Sequence, residues 1–268
     1  MTSRLLAGAA LLALAACAPA PESAARMVPD PGGFRPLFDG KTLTGWRGEE
    51  GLWRVENGTI IGATPVPLPE NTYLRYNGTF GDFEVRLQYR MSTEIANTGL
   101  QYRSRPLARN SFDMAGYQAN IVTKHADRSF AMLFEEHGRD TMVTYGENAR
   151  IVADPGAQRG FRVIVEDCVN TRQAIMAAQR PYPEWNDLVV IAHGNHLIHA
   201  INGVVTLQVV DDDPRAPASG QFGLQIHRDL AMSSEFRNIA VRELNAMPDL
   251  AGRFVTDPRP TTPDGKCL

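Results

Sequence analysis

Apolar and polar residues alternate along Gly220–His227: Phe222, Leu224 and Ile226 fall on one side of an extended strand, and Gln221, Gly223, Gln225 and His227 on the other. The apolar side needs a second layer to cover it. The polar side, with an amide and an imidazole beside a glycine, predicts the floor of a polar groove; the edge of a half-solvated sheet is the plainer reading. Asp82–Arg90 alternates most cleanly, with Phe83, Val85, Leu87 and Tyr89 opposite Glu84, Arg86, Gln88 and Arg90, and predicts a sheet with one wet face. Along Asn97–Arg103, Gly99, Gln101 and Arg103 share a face against Leu100 and Tyr102. Gly116–Ile121 brings Gln118 and Asn120 together in the same way.

Turn signals divide these runs. Asn57-Gly58 lies inside Trp53–Gly62 and predicts a hairpin, and Tyr73-Leu74 begins another short strand. Leu188–Ala192, His196–Ile201 and Val204–Val210, separated by Gly194-Asn195 and Asn202-Gly203, predict a meander that ends at Asp211-Asp212-Asp213-Pro214. Phe161–Val165 is strand-like, Asn170–Gln179 suits a short helix with an Asn or Thr cap, and Glu235–Leu244 supplies a last strand. No long amphipathic helix alternates with the strands, which argues against a parallel βαβ sheet. The pattern predicts an all-β sandwich with minor helical loops.

Composition changes the picture mainly at the ends. Arg4, the apolar run Leu5–Ala16 and Cys17 form an export signal too short to span a bilayer, and Leu14-Ala15-Ala16-Cys17 resembles a bacterial lipobox. Residues 1–17 are therefore read as a lipoprotein signal with Cys17 lipidated, 18–32 as a flexible tether, 33–245 as one β domain and 246–268 as a flexible tail. The expected location is the bacterial cell envelope, periplasmic or outer-membrane anchored, with the lipid as the only membrane contact. Cys168 and Cys267 either pair or remain two free thiols. With 27 basic and 30 acidic residues and no basic stripe, nucleic acid is not an expected partner. No nucleotide-binding fingerprint points to a nucleotide or organic cofactor.

Several motifs occur together in order: GFRPLFDGKTLTGW (33–46), WRVENG (53–58), DFEVRLQYR, NTGLQYRS, AGYQAN, LFEE with Gly138-Arg139, EWNDLVVIAHGNHLIHAING (184–203), and GLQIH followed by FRNIAV. In these the chain resembles the DUF1080 family of 3-keto-disaccharide hydrolase, or 3-keto-glucoside 1,2-lyase and 3-keto-2-hydroxy-glucal hydratase, domains. The resemblance implies a concanavalin A-like lectin/glucanase jelly roll. It also implies action on glycosides oxidised at C3, or carbohydrate binding in members without activity. Where many members of the family carry Gly-Tyr-Glu-x-Gln or Gly-Tyr-Gln-x-Asp, this chain has Gly116-Tyr117-Gln118-Ala119-Asn120. A carboxylate expected there is an amide, which is no general base and a weaker oxygen ligand.

A 3-keto glycoside has an acidified C2 hydrogen, so its cleavage needs a base near C2, a donor at the enolate oxygen and an acid for the departing oxygen. His227 is the first candidate base because histidine titrates near neutrality. Glu136 is the second, with Glu135 able to exchange roles if the strand phase shifts. Arg103 is a candidate for anchoring hydroxyls or the enolate. Gln225, Gln101, Tyr117, Gln118, Asn120, Arg139 and His199 are candidates for substrate binding. His227, Glu136 and Asp211 have the ligand types for one divalent metal ion of unassigned identity. The leading expectation is a lyase or net hydrolase of an oxidised sugar or glycoside. A non-catalytic carbohydrate-binding module is the alternative, and a structural envelope lipoprotein is the third reading.

Overall fold

Alternation along the chain becomes inside and outside in the computed structural model. It describes residues 32–93, 95–108, 111–122, 129–181 and 183–267; the export signal, Cys17 and the tether up to residue 31 lie outside them. In chain order the first strands are β1 (Arg35–Pro36), β2 (Trp46–Arg47), β3 (Trp53–Glu56), β4 (Thr59–Thr64), β5 (Thr72–Tyr76), β6 (Phe83–Met91) and β7 (Asn97–Pro106). Next come β8 (Met114–Val122), β9 (Leu133–Glu136), β10 (Asp140–Val143), β11 (Glu147–Ala153) and β12 (Phe161–Cys168). Helix α1 (Arg172–Ala178) precedes β13 (Asn186–His193), β14 (His196–Ile201), β15 (Val204–Asp211), β16 (Gln221–Ile226) and β17 (Met232–Glu243).

Two sheets face each other. The larger runs β12-β11-β15-β14-β13-β6-β17-β4-β3 with β1 beside β17, and the smaller runs β10-β9-β8-β7-β16-β5-β2. The result is a lectin-like jelly-roll β-sandwich. Its core takes the apolar side of each alternating strand: Phe83, Val85, Leu87 and Tyr89 from one sheet, Phe222, Leu224 and Ile226 from the other, all at most 2% exposed. Phe222 stacks on Phe80 at 4.5 Å and meets Phe83 edge-on at 4.8 Å, which locks the sheets together near one end.

Local chemistry closes the turns as expected. Asn57 and Gly58 have φ of 49° and 76°, and Asn202 and Gly203 have 48° and 81°. Positive φ at both central residues is what two-residue hairpins require. Thr171 caps α1, its hydroxyl accepting from the Ala174 N–H at 3.1 Å.

Two expectations about the exterior are corrected. The segment from residue 246 is fastened down, not loose. Met247, Leu250 and Phe254 pack over Val169, Ile191, Ile198 and Val205, because the outer face of the large sheet carries its own apolar stripe. Val255 and Arg259 bridge to Val204 and Cys168, and a disulfide joins Cys168 to Cys267. Glu84, on the side predicted to be wet, is fully buried. It accepts from Arg86 at 2.8 Å and Arg242 at 2.7 Å, and also from Arg253, which the folded-back segment brings to it.

The disulfide spans 99 residues of sequence. Loop-closure entropy for such a span gives a stabilisation of about 4–5 kcal/mol at most. Reducing agent is therefore expected to lower the melting temperature of the wild-type chain and leave that of Cys168→Ala/Cys267→Ala, already lower, unchanged. Limited proteolysis should then cut between residues 246 and 267. Equal melting of the reduced and oxidised protein would contradict this account of the fastened segment.

Candidate functional site

The outward face of the small sheet is polar because of register. Gln225 pairs with Tyr73 across to β5, and Gly223 pairs with Gln101 across to β7. Gln101 lies opposite Gln118, Gly99 opposite Asn120, and Gly116 opposite Glu136. Four amides, one phenol and one carboxylate thereby meet on one surface. Gly99 has no space for a side chain, since a Cβ there would lie 2.7 Å from the Gln118 side chain.

Tyr73 is the hub. Its hydroxyl accepts from Gln225 Nε2 at 2.8 Å and donates to Glu136 Oε2 at 3.2 Å. Gln118 Nε2 donates to Asn120 Oδ1 at 2.8 Å and to Gln225 Oε1 at 3.1 Å, and Asn120 Nδ2 donates to the Ser129 carbonyl at 2.7 Å. The Gln101 amide lies 3.3 Å from the Tyr73 hydroxyl and 2.6 Å from Ser104 Oγ. Gln101, Gln118, Asn120 and Gln225 are each at most 4% exposed. The amides predicted to bind substrate thus come together, but they bond to one another. They hold Tyr73 and Glu136 in place from beneath.

Glu136 stands at the rim of this layer with its side chain 14% exposed. The phase of β9 puts Glu135 on the opposite face, so the two do not exchange roles. Asn71 Nδ2 donates to Glu136 Oε1 at 3.2 Å. The His137 ring is 3.9 Å from the same carboxylate, and its Nε2 is 2.7 Å from Asp113 Oδ2. Asp113 also accepts from the Met114 N–H at 2.7 Å, which fixes the carboxylate that orients the imidazole. Burial raises the Glu136 pKa above its ordinary 4.5; attraction to His137 opposes this, repulsion by Asp113 adds to it, and the bonds from Tyr73 and Asn71 do not cancel it. Burial, reinforced by Glu136, keeps the Tyr73 phenol protonated. Asn71 and Asp113 also line a cavity of about 390 Å³ with Glu49, Glu70, Thr72 and Phe112.

His227 follows β16 at the same rim. Its Nδ1 is 2.5 Å from the Arg228 carbonyl, and the Arg228 N–H donates to Asn71 Oδ1 at 2.9 Å. Its link to Glu136 among the described residues runs through Asn71.

Five sequence candidates lie elsewhere. A bulge between Tyr102 and Arg105 turns Arg103 out of the Gln101 face, with φ of 47°. Arg103 instead ties loops together, donating to the carbonyls of Gly81 at 2.9 Å and Gly194 at 2.7 Å and to Asp82 at 3.0 Å. Ser104 takes its place beside Gln101. Tyr117, Arg139 and Asp211 meet between the sheets: Arg139 donates to both Asp211 oxygens at 3.0 and 2.7 Å and also to Glu135, and Tyr117 donates to Asp211. Burial opposes the Arg139 charge, but Asp211 and Glu135 outweigh it and raise the pKa. His199 is in the core with Nε2 2.9 Å from the Tyr102 hydroxyl, and burial lowers its pKa to about 3, so it is neutral near pH 7. The trio His227, Glu136 and Asp211 does not fit one metal ion, since Asp211 lies on the other side of the small sheet and is taken by Arg139. Among the described residues no three His, Cys, Asp or Glu side chains converge to hold one.

Tyr73, Asn71, Asp113 and His137 are the members that sequence reading missed. Tyr73 reads as a core aromatic, and Asp113 and His137 are 24 residues apart and meet through the β8–β9 pairing. The adjacency of His137 to Glu136 was the available signal.

The chain matches the 3-keto-alpha-glucoside-1,2-lyase-like domain family over residues 33–242. Two solved structures of Parabacteroides distasonis proteins, both provisionally named glycosyl hydrolases, share the fold. The first is 18% identical, with a TM-score of 0.51, over 80% of this chain and 95% of that one. The second is 16% identical, with a TM-score of 0.51, over 79% of this chain and 99% of that one. No curated protein gives a significant match.

A carboxyl whose folded pKa is raised has its full stability below the ordinary value and loses it as pH rises through the folded value. Glu136→Gln is therefore expected to melt above wild type at pH 7, with the gap closing as the pH falls below 4.5. Melting curves across that range check it. A variant less stable than wild type at neutral pH would show that Glu136 is a structural group.

Proposed function

Because the chain belongs to the 3-keto-alpha-glucoside-1,2-lyase-like family, we propose that it cleaves 3-keto-glycosides by elimination, with Glu136 as the base. Glu136 takes the proton from C2, and the C2–H electrons form the enolate with the C3 carbonyl. The enolate then reforms the ketone as the C1–O bond breaks, leaving a C1–C2 double bond. His137, held by Asp113, gives a proton to the departing oxygen. Water added at C1 and a proton returned to C2 complete a net hydrolysis. We assign His227, at the same rim, the hydrogen bond to the C3 oxygen.

The observation that carries this reading is the setting of Glu136. It is a partly buried carboxylate of raised pKa at the edge of a neutral amide layer, with a carboxylate-held imidazole 3.9 Å away. A carboxylate of raised pKa is a stronger base toward a carbon-bound proton than an ordinary one. Elimination needs no pair of carboxylates placed on opposite sides of a glycosidic bond. The leaving group is assigned the cavity bounded by Asn71 and Asp113. From the Leu14-Ala15-Ala16-Cys17 run we also propose that the chain acts outside the cytoplasm, anchored through lipid on Cys17.

The neutral amides at Gln118 and Asn120 favour a second reading, a carbohydrate-binding module. Incubating the full chain with a 3-keto-glucoside separates the two. The enzyme reading predicts release of the aglycone, with kcat falling by roughly 100-fold or more in Glu136→Gln and in His137→Ala. Saturable binding of the glycoside without product from wild type would overturn it in favour of the module.

A further inference from the structure

The polar face has a cationic end. Arg75 follows Tyr73 by two residues on β5 and so points to the same side, roughly 7 Å along the strand. Its partner directly across the ladder is Arg47 on β2. Phe112 covers both, its ring centre 5.9 Å from the Arg47 guanidinium and 5.7 Å from that of Arg75. Arg75 is 8% exposed, and its Nε has no hydrogen-bond partner. Among the described residues no carboxylate pairs with either arginine. Glu49, two residues beyond Arg47, accepts from the Thr72 hydroxyl at 3.2 Å and forms no ion pair there.

Like charges directly opposite on a ladder repel, and a buried donor without a partner costs free energy. Other buried charges in this protein are paired: Arg139 with Asp211, and Glu84 with Arg242. Burial, and then repulsion by Arg47, lowers the Arg75 pKa. An anion between the two guanidinium groups relieves both costs. Phe112 lies against both guanidinium groups without bonding to them, and their N–H groups match the paired oxygens of an oxyanion. Met114 fills the space over Gly223, so an anion reaches Arg75 from the β2 side, where Arg47 is exposed.

We propose that Arg47 and Arg75 form a subsite for an anionic substituent, a carboxylate, sulfate or phosphate group, carried by the sugar or glycoside that occupies the neighbouring face. The capture of an oxyanion stands on these residues alone; its belonging to the substrate rests on the function proposed above.

The test titrates the full chain with sodium sulfate, glucuronate or glucose at constant ionic strength, followed by melting temperature and calorimetry. Wild type is expected to be stabilised by sulfate and glucuronate at millimolar concentration and not by glucose. Arg47→Gln, at an exposed position, should keep its fold and weaken the effect about tenfold in affinity. Arg75→Met, which keeps the apolar stem, should abolish it. Undiminished stabilisation in both variants, or none in wild type, overturns the subsite. Binding of sulfate without glucuronate overturns the sugar-borne substituent and leaves a free oxyanion site. A second arm compares turnover of neutral and uronic 3-keto-glycosides. A preference for the acidic substrate that disappears in Arg47→Gln supports the proposal. Equal turnover of both overturns it as a substrate subsite without touching the enzyme reading. Absence of turnover together with intact sulfate and glucuronate binding refutes the proposed reaction and leaves the anion subsite standing.

Discussion

The Tyr73 hydroxyl is the point at which the polar face closes. Side chains from β16, β7 and β9 converge on this β5 residue, and each supplies or receives a hydrogen bond at a hydroxyl that water does not reach. In such surroundings a hydrogen bond is strong and an unmet one is costly, so the layer has one satisfactory arrangement. Its neutrality matters as much as its order. A second carboxylate at Gln118 would share the Tyr73 hydroxyl with Glu136 and drive the two protonation states apart. With amides there, Glu136 is the one charge on the hub, and its basicity is set by burial and by the His137–Asp113 pair.

The two faces of the small sheet divide the charged residues between different tasks. Tyr117, Arg139, Glu135 and Asp211 point inward and cross-link the sheets through a buried ion-pair cluster. Their neighbours Gln118 and Glu136, one residue away in sequence, point outward. A shift of one residue in register would exchange the two sets. The inner cluster therefore protects the site indirectly, because it fixes which side of β8 and β9 faces out.

Much of this was legible in the alternation. The strand assignments at Asp82–Arg90 and Gly220–His227, the Asn-Gly hairpins and the Thr cap follow from local rules. So does the shared face of Gln118 and Asn120, whereas strand order and register bring Gln101 and Gln225 to them. Arg103 was misplaced because a bulge breaks the period of two, and a bulge leaves no mark in a polar run. Tyr117, Arg139, His199 and Asp211 have the side chains of a site, yet pair with one another or with Tyr102 inside the sandwich. Asp113 and His137 meet only through tertiary pairing. The fastened C-terminal segment was hidden by its Pro- and Asp-rich composition, since its hold comes from a few apolar contacts, two bridges and one disulfide.

The central claim is that Glu136 removes the C2 proton. Incubating a 3-keto-glucoside with the protein in deuterium oxide and following deuterium at C2 by mass spectrometry tests it directly. Elimination followed by hydration predicts deuterium at C2 of the released 3-keto-sugar, formed rapidly by wild type and at the uncatalysed rate by Glu136→Gln. Release of a sugar that keeps its C2 hydrogen, or undiminished label incorporation in the variant, would contradict it.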